Sequence, residues 1–312
     1  MENIAIVTGG TSNEKNISLK SAATILKNID KKKYNAYKVL CIDINNFQVI
    51  IEDNVYCIDN NDFTFNYKNE KIKFEKAYVI IHGNPGENGK LCSYFESKNI
   101  PYTSCNEKIS KLTFNKFKCN NLLRSLGYDV PDAQIYTDKC TTQFPCIVKP
   151  SSSGSSYGIS KVYDADELKI AVDKALKHDK EIIIEQFIKG REVTCAVFNF
   201  HKKIETLPIT EIVSENDIFD YDAKYNGKSI EKTPANIKNN IKNNINNIAK
   251  NIYKDLELKG IIRIDFIISN TTPYLIEINT IPGFSEESIV PQMLKCAKIN
   301  LKDFITAQIK NA

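Results

Sequence analysis

The sequence contains no apolar run that approaches the roughly 20 residues needed to cross a membrane as a helix. It begins with MENIAIVTGG, in which a strand pattern starts at once and leaves no room for the charged and apolar regions of a signal peptide. We therefore expect a protein that neither spans a membrane nor is exported.

The sequence also lacks paired cysteines. It has nine, an odd number at irregular spacings, with no Cys-x-x-Cys pair and no Cys/His cluster. This pattern argues against a disulfide framework and against a structural zinc site. We interpret the cysteines as reduced thiols of a cytoplasmic protein.

An excess of charge of one sign is absent as well, since 42 Lys and Arg residues face 38 Asp and Glu residues and leave a net charge of +4. Nothing here indicates a nucleic-acid partner, and a local basic cluster would suit a small ligand that carries phosphate. With 312 residues, of which 42% are hydrophobic, the chain is long enough for two or three lobes with a sizeable core.

The N-terminal third has the pattern of a parallel α/β unit. The stretches NIAIVTGG, YKVLCID and KAYVIIHG are predicted strands, and a helix between the first two carries Ala22, Ile25, Leu26 and Ile29 on one face. Ligands of such sheets bind at the carboxyl ends of the strands, which is where GGTSNE and HGNPGENG lie.

The pattern changes near residues 103–110. A basic helix, NEKISKLTFNKFKCNNLLRSLG, is followed by short strands that favour antiparallel pairing: FPCIVKP, SKVYD, EIIIEQF, REVTCAVFN and KIETLPITEI. A second boundary is predicted near residues 188–193. In the Asn-rich stretch that follows, Ile237, Ile241, Ile245, Ile248 and Ile252 form one apolar stripe and predict an ordered helix.

The segment RIDFIISNTTPYLIEINTIPGFSEES, residues 263–288, places four polar side chains among apolar ones. Alternation in a strand puts Arg263 and Asp265 on one face, and likewise Glu277 and Asn279. If the two strands pair across SNTTP, all four converge, and three oxygen-bearing side chains beside an arginine suit Mg²⁺ with phosphates. The alternative is an exposed strand face with salt bridges.

Several other residues allow two interpretations each. Glu14 either completes a capping box, Thr11-x-x-Glu14, or holds a substrate ammonium. His82, which follows the buried strand YVII, is either structural or part of a site.

Three further segments carry the same ambiguity. KPSSSGSSYGISKV is either a surface loop or a phosphate-binding loop with Lys149; it lacks the order of a Walker A motif. Glu185 and Glu192 are either carboxylates that bind adenine and ribose or exposed carboxylates on the protein surface. Lys224 and Tyr225 lie in FDYDAKYNGKS, which could close over phosphates as a lid.

Taken in chain order, GGTSNEKNISLKSA, HGNPGENG, KPSSSGSSYGISKV, EQFIKGRE, FDYDAKY, RIDF and EINTIPGFSEES resemble the D-alanine–D-alanine ligases of the ATP-grasp superfamily. The resemblance runs from residue 4 to about residue 295 and implies an α/β protein, α+β in its ATP-grasp part, with three lobes. It implies an N-terminal α/β substrate-binding domain at 1–104, a central ATP-grasp subdomain at 105–190 and a C-terminal ATP-grasp subdomain with the metal and substrate site at 191–312.

The resemblance also implies roles for residues around ATP. The phosphates would be contacted by Lys116, Lys149 and Lys224, adenine by Glu185, Phe187 and Ile188, and ribose by Glu192. Two Mg²⁺ ions, with Mn²⁺ as a substitute, would be bound by Asp265, Glu277 and Asn279.

For the amino acids, the resemblance implies that Glu14, linked to Ser155 and Tyr225, holds the ammonium of the first D-alanine. Ser288 would receive the carboxylate of the second. Arg263 and the N–H of Gly283 would stabilise the oxyanion, with His82 near the reacting carboxylate.

The implied reaction is ATP-dependent ligation of two D-alanines through an acyl phosphate, for peptidoglycan precursor synthesis, by a cytoplasmic homodimer. A related ligase with D-lactate, D-serine or another amino acid as acceptor is the alternative, and a nucleotide-binding protein without ligase activity is a third reading. Where the family usually continues its second loop with Asp and then Leu-Gln-Gly, this chain has Asn88 and later Cys92-Ser93.

Overall fold

The structure is a computed structural model that describes residues 1–137, 139–214 and 229–312. Three larger sheets, here called the first, second and third sheet in chain order, organise this part of the chain, beside one two-stranded sheet. None of the helices in these ranges is both long and apolar enough to span a bilayer.

The first sheet has the strand order β4-β3-β2-β1-β7. The elements of this region are β1 Glu2–Gly9, α1 Lys15–Asn28, β2 Tyr34–Asp43, β3 Asn46–Ile51, β4 Asn54–Cys57, β5 Thr64–Tyr67, β6 Glu70–Lys73, β7 Lys76–Val79 and α2 Lys90–Ser97. Strand β1 pairs in parallel with both β2 and β7, as predicted. The strands β3 to β6 form antiparallel hairpins that the sequence analysis did not identify.

Helix α1 packs on this sheet through the face that the sequence predicted. Ala22 and Ile25 are completely buried, and Ile29 is nearly so. Residues Ile4 to Val7 of β1 are also fully buried, because a parallel strand at the centre of a sheet is covered on both faces. The carboxyl ends of β1 and β7 therefore lie at a fixed edge, where the two glycine-containing loops begin.

The basic segment after residue 105 forms two helices rather than the single helix predicted. These are α3 Glu107–Phe114 and α4 Lys116–Ser125. Asn115 separates them, and its side chain accepts a hydrogen bond from the backbone N–H of Lys118, which caps α4. Asparagine is a favoured cap because its side chain satisfies a helix donor that has no intrahelical partner. The break places Lys116 at the first residue of α4.

The second sheet has the order β10-β9-β11-β8, and its three strand pairs are antiparallel, as predicted for this region. Its elements are β8 Ala133–Ile135, β9 Cys146–Pro150, β10 Ser160–Val162, α5 Ala165–Ala175 and β11 Ile182–Gln186. Helix α5 covers one face through Ala171 and Val172, which pack with Val148 and Ile182 in a small core.

The third sheet is antiparallel and has the order β15-β14-β12-β16-β17, with β13 paired to β12. Its region contains β12 Arg191–Phe200, β13 Lys203–Thr206, β14 Thr210–Ser214, β15 Ser229–Lys232, α6 Asn239–Asp255, β16 Ile261–Ser269, β17 Thr272–Asn279, α7 Ile289–Cys296 and α8 Leu301–Asn311. KIETLPITEI was predicted as one strand and forms two, β13 and β14. The isoleucine stripe is confirmed on α6, where Ile241, Ile245 and Ile252 are buried.

Alternation along β12 places the third sheet between two cores. Val193, Cys195 and Val197 face the core that includes α6, whereas Ala196 and Phe198 face the core shared with the first sheet. Such a two-sided strand carries apolar side chains at both alternating sets of positions. The candidate active site begins where the face of the third sheet toward the first sheet changes from apolar to polar.

Candidate active site

The hairpin of β16 and β17 brings the four predicted polar side chains together. The strands pair with Arg263 opposite Asn279 and Asp265 opposite Glu277, as expected from pairing across SNTTP. Only 17% of the Arg263 side chain and 12% of the Asp265 side chain are exposed. The alternative reading, an exposed strand face with salt bridges, is therefore wrong.

Asp265 accepts hydrogen bonds from three side chains around it. Its Oδ1 accepts from Arg263 Nε at 3.0 Å and from Thr194 Oγ1 at 2.6 Å. Its Oδ2 accepts from Arg263 Nη2 and Asn279 Nδ2, both at 3.0 Å. A carboxylate offers about four lone-pair sites, so these donors already use its hydrogen-bonding capacity. A cation bound at Asp265 would have to displace at least one of them.

The donor types in this hairpin nevertheless fit a hard divalent cation. Asp265 and Glu277 supply carboxylate oxygens on neighbouring strands, and Asn279 carries an amide oxygen, which are the ligands that Mg²⁺ prefers. The described residues contain no group of three or more His, Cys, Asp or Glu side chains placed to hold a metal ion. The predicted metal site therefore depends on the Asn279 amide as its third member.

Arg263 is a permanent cation in this site. Burial alone would lower the pKa of its guanidinium, but the carboxylate of Asp265, in direct contact, outweighs burial, and Glu277 adds to it, so that the pKa is raised above its ordinary value. A buried guanidinium that is held in a fixed plane is well suited to stabilise negative charge on a ligand oxygen.

A cavity of about 570 Å³ lies between the second and third sheets. Its lining includes seven residues predicted at ATP or metal: Lys149, Glu185, Phe187, Ile188, Glu192, Asp265 and Glu277. The two sheets thus contribute both basic and acidic side chains to one space of the size of a small-molecule site.

Lys149 and Glu185 form a buried ion pair at the wall of this cavity. Lys149 Nζ lies 2.7 Å from Glu185 Oε1, and each side chain is 4% exposed. The pairing of β9 and β11 sets Lys149 opposite Ile183, which makes Glu185 its diagonal neighbour, within reach of a long side chain. Glu185 Oε2 is buried and accepts no hydrogen bond from the described part of the chain, so it can accept one from a ligand.

Lys116 lies between the hairpin and the loop that follows β9. Its Nζ lies 3.6 Å from Glu277 Oε1 and donates a hydrogen bond to the carbonyl of Ser153. Its side chain is only 6% exposed. The capped start of α4 thereby delivers a second buried lysine to the loop that follows β9.

A second cavity, of about 280 Å³, lies between the first and third sheets. Eight predicted residues line it: Glu14, His82, Ser155, Arg263, Glu277, Asn279, Gly283 and Ser288. Glu277 also lines the larger cavity. The two spaces are therefore adjacent, and one carboxylate borders both.

Glu14 does not form the capping box. Helix α1 begins at Lys15, and the side chain of Glu14, its N-cap, makes no capping hydrogen bond. Its Oε1 instead accepts a hydrogen bond from Ser155 Oγ, 141 residues along the chain. A Cβ atom at Gly154 would lie 2.6 Å from Glu14 Oε2, so a larger residue there would displace this carboxylate from its present position.

His82 is buried, and both of its ring nitrogens are used. Nδ1 donates to the carbonyl of Ile281 at 2.7 Å, so in the neutral ring Nε2 accepts from Ser21 Oγ at 3.1 Å. Burial lowers the pKa of His82, which favours this neutral form. Ser21 Oγ in turn accepts from the backbone N–H of Phe284 at 3.0 Å. His82 and Ser21 thus fix the backbone on both sides of Gly283.

The sequence analysis assigned no role to Glu87, in the HGNPGENG loop, or to Ser21, on α1. The carboxylate of Glu87 accepts from the backbone N–H of Gly83 at 2.7 Å and from that of Ile281 at 3.4 Å. Burial, together with the nearby Glu14, raises the pKa of Glu87 to about 8. The contacts of Glu87 with Ile281 and of Ser21 with Phe284 could not be read from the sequence, because each joins residues far apart in the chain.

Ser288 is the N-cap residue of α7 at the edge of the smaller cavity. Its hydroxyl lies 2.7 Å from that of Ser285 and accepts from the backbone N–H of Ser285 at 3.0 Å. Backbone N–H groups at a helix N-terminus favour a negatively charged ligand. This end of the cavity therefore suits a carboxylate.

Comparison with known proteins gives a consistent result over the whole chain. A family model described as D-ala D-ala ligase N-terminus matches residues 3–105, and one described as D-ala D-ala ligase C-terminus matches residues 123–310. The chain belongs to the D-alanine–D-alanine ligase family. A D-alanine–D-alanine ligase of Flavobacterium johnsoniae is 43% identical over 319 residues, which cover 99% of both chains. One of Azobacteroides pseudotrichonymphae is 42% identical over 324 residues, covering 100% of both.

Solved structures of related ligases have the same fold. A D-Ala:D-Ser ligase from Enterococcus faecalis has a TM-score of 0.87 at 27% identity, covering 99% of this chain and 98% of that one. A D-alanine–D-alanine ligase from Bacillus anthracis, complexed with ATP, has a TM-score of 0.79 at 26% identity, covering 100% and 97%. The predicted α/β fold class is confirmed.

The departures from the family pattern in the second loop lie away from the cavity linings. Asn88 accepts a hydrogen bond from the backbone N–H of Lys90, at the start of α2. Cys92 is fully buried and lies near the hydroxyls of Ser104 and Ser110, at 3.7 and 3.6 Å. These residues support the first sheet and its helices.

Two predicted site residues cannot be placed. Lys224 and Tyr225, expected at the ATP phosphates and beside Glu14 and Ser155, lie outside the described residues. The smaller cavity is also lined by Glu231, which the sequence analysis did not mention.

Proposed function

We propose that this protein joins two D-alanines to D-alanyl-D-alanine at the expense of ATP, through an acyl phosphate, and supplies a peptidoglycan precursor. The observation that carries the proposal is the adjacency of the two cavities at Glu277. A nucleotide in the larger cavity and an amino acid in the smaller one would meet there. The relatives that cover the full chain, which are named D-alanine–D-alanine ligases, support the same reaction.

The larger cavity would hold ATP. Glu185 has an unpartnered oxygen for the amino group of adenine, with Phe187 and Ile188 beside it, and Glu192 would bind the ribose. Lys149 and Lys116, both buried, would contact the phosphates, and Lys224 is proposed to join them. A Bacillus anthracis relative solved with ATP supports this assignment.

Two Mg²⁺ ions, or Mn²⁺ in their place, are proposed at Asp265, Glu277 and Asn279. When bound, they would offset the repulsion between the phosphates and the substrate carboxylate. Positioning the reactants and excluding water fall to this chain's own residues, since water would hydrolyse an acyl phosphate.

The smaller cavity would hold both amino acids. Glu14, held by Ser155 and in the proposal by Tyr225, would bind the ammonium of the first D-alanine. The carboxylate of this first D-alanine would lie toward Arg263 and His82, and it would receive the phosphoryl group there. Ser288 at the start of α7 would bind the carboxylate of the second D-alanine.

In the second step the ammonium of the acceptor first releases a proton to solvent, and the free amine then attacks the acyl carbon. A C–N bond forms, the bond between the acyl carbon and the phosphate oxygen breaks, and phosphate leaves with that electron pair as the nitrogen gives up its second proton. Negative charge develops on the acyl oxygen as the amine adds. Arg263 and the backbone N–H of Gly283 would stabilise it, in the manner of an oxyanion hole. His82 and Ser21 hold the Gly283 backbone in place for this task.

An acceptor other than D-alanine is the second candidate. The D-Ala:D-Ser ligase of Enterococcus faecalis shares the fold at a TM-score of 0.87, so the fold alone does not select the acceptor. D-lactate, D-serine and other amino acids are the alternatives. We further propose that the protein works in the cytoplasm as a homodimer, with no nucleic-acid or membrane partner.

The test is phosphate release from ATP and Mg²⁺ in the presence of D-alanine, L-alanine, D-alanine with D-serine, or D-alanine with D-lactate, followed by mass analysis of the products. We expect D-alanyl-D-alanine as the main product and none from the L isomer. ATP turnover with another product would support the alternative acceptor. An absence of phosphate release with every amino acid would contradict ligase activity.

A further inference from the structure

Glu231 lies on β15 and lines the smaller cavity together with Arg263, Gly283 and Ser288. In the proposed function these three residues surround the reacting oxygen and the carboxylate of the second amino acid. Glu231 is therefore a carboxylate at the acceptor end of the site, whereas Glu14 stands at the donor end. The proposed function assigns no role to Glu231.

Helix α7 holds the Glu231 side chain in this position. Gln292 Nε2 donates to Glu231 Oε2 at 2.7 Å and also to the backbone carbonyl of Glu287 at 2.9 Å. The amide thus bridges the end of its own helix and β15. Because Gln292 is a neutral amide, it does not neutralise the negative charge of Glu231. This hydrogen bond involves Glu231 Oε2 and not Oε1.

The spacing on α7 suits a small amino acid. Ser288 and Gln292 are four residues apart, so they lie on the same face, one turn of about 5.4 Å from each other. Ser288 lies at the position proposed for the acceptor carboxylate, and Gln292, one turn further along the helix, holds Glu231. A ligand with a carboxylate and an ammonium on one carbon could reach both.

The charges around Glu231 also favour a positively charged ligand group beside it. Arg263 is the guanidinium that faces this cavity, and its fork is directed to Asp265. Burial raises the pKa of Glu231, and Arg263 and the bond from Gln292 act against that rise. A half-buried carboxylate is stabilised most by a ligand that carries a positive charge.

We propose that Glu231 binds the ammonium group of the second amino acid and so makes the site prefer amino acids to 2-hydroxy acids as acceptors. This inference rests on the proposed ligase function and specifies its acceptor class. A 2-hydroxy acid such as D-lactate carries the carboxylate but has no positive charge to pair with Glu231. It would gain nothing from this residue and would be repelled by it.

The test compares wild type with Glu231→Gln, which removes the charge at nearly constant shape, and Glu231→Asp, which keeps it. Initial rates over a D-alanine series separate the apparent KM values for donor and acceptor, and an ATP series gives a third KM. Glu286→Gln is the matched control, because Glu286 is exposed and outside the cavity lining. Thermal unfolding verifies that each variant is folded.

For Glu231→Gln we expect an acceptor KM about tenfold higher, the scale of a lost charge-assisted hydrogen bond, with little change in the KM of the donor and of ATP. Glu231→Asp should recover most of this loss. In a mixture of D-alanine and D-lactate, the share of D-alanyl-D-lactate should rise about tenfold over the wild-type share. The Glu286→Gln control should behave as wild type.

An unchanged acceptor KM, an equal rise in all three KM values, or an unchanged product ratio would overturn the proposal. If Glu231→Gln fails to fold, Gln292→Leu decides, since it keeps the charge of Glu231 but removes the hydrogen bond that positions this carboxylate. We expect it to raise the acceptor KM and to leave the donor KM unchanged, and an unchanged acceptor KM in Gln292→Leu would contradict the proposal. Wild-type protein without dipeptide synthesis would instead refute the proposed function itself.

Discussion

Arg263 and Asp265 lie two residues apart on β16 and are joined by two hydrogen bonds of 3.0 Å each. Residues at this spacing share a face of the strand, so the fork of the guanidinium and the carboxylate meet without distortion of the backbone. The contact fixes the plane of the guanidinium at the wall of the smaller cavity. It also links the proposed oxyanion residue to a proposed metal ligand.

We expect Arg263→Ala to lower kcat by about 10²–10³, the scale for losing an oxyanion donor, while ATP still binds. Phosphate-release kinetics and calorimetric titration with ATP measure the two effects. Arg263→Lys is the matched variant, since it keeps the charge but loses the fork and should recover only part of the rate. Normal turnover in Arg263→Ala would remove this residue from the mechanism.

Glu14→Gln should mainly weaken binding of the first amino acid. The carboxylate is held by Ser155 and does not cap α1, so its loss should leave the helix intact. We expect the donor KM to rise about tenfold, with little change in thermal stability. Ser12→Ala, on the same loop but with a hydroxyl bonded to the carbonyl of His82, serves as a control for loop disturbance. An unchanged donor KM in Glu14→Gln would exclude the ammonium-binding role.

The buried pair of Lys149 and Glu185 gives a prediction about stability. Lys149→Met leaves the Glu185 charge unpaired, which should cost about 3–5 kcal/mol in the free energy of unfolding. The double variant Lys149→Met/Glu185→Leu should recover much of this loss, because both charges are then absent. Thermal unfolding measures both. Lys71→Met removes one partner of an exposed pair, Lys71 and Asp62, and should hardly change the midpoint. A double variant no more stable than Lys149→Met would contradict this account.

Glu87 predicts a pH dependence of stability. Its pKa is about 8 in the folded protein against an ordinary value of 4.5, so between these values the folded state holds a proton that the unfolded state has released. The contribution of Glu87 to stability is complete below pH 4.5 and is lost as the pH rises toward 8. The amide of Glu87→Gln has no such proton to lose. The midpoint of thermal unfolding of this variant should therefore fall less than that of wild type from pH 5 to pH 8. Parallel curves would contradict the raised pKa.

Local pattern predicted a good part of the fold. Alternation along residues 263–279 gave the face of the hairpin, and the pairing of β16 with β17 confirms it. The spacing of the isoleucines predicted α6, because helical periodicity is set by neighbouring residues. The break at Asn115 was missed, since a capping asparagine looks the same as a helical one until the backbone direction is known.

For the candidate site, the sequence predicted many of the residues but not the contacts between them. Motif order identified seven residues that line the larger cavity and eight that line the smaller one. The local pattern Thr11-x-x-Glu14 offered a capping box as an alternative, which the structure excludes. The contacts of Ser21 with His82 and Phe284, and of Glu231 with Gln292, could not be predicted. Each joins groups 61 to 263 residues apart in the chain.

The sequence by itself determined many of the strands and helices, the faces that α1 and α6 bury, and to which family the chain is similar. These properties depend on short-range periodicity and on residue types in a fixed order. Only the tertiary structure decided which charges meet: Glu14 with Ser155, Lys149 with Glu185, and Lys116 with Glu277. Such contacts depend on how three sheets pack, and packing is set by the sum of many weak interactions between distant parts of the chain.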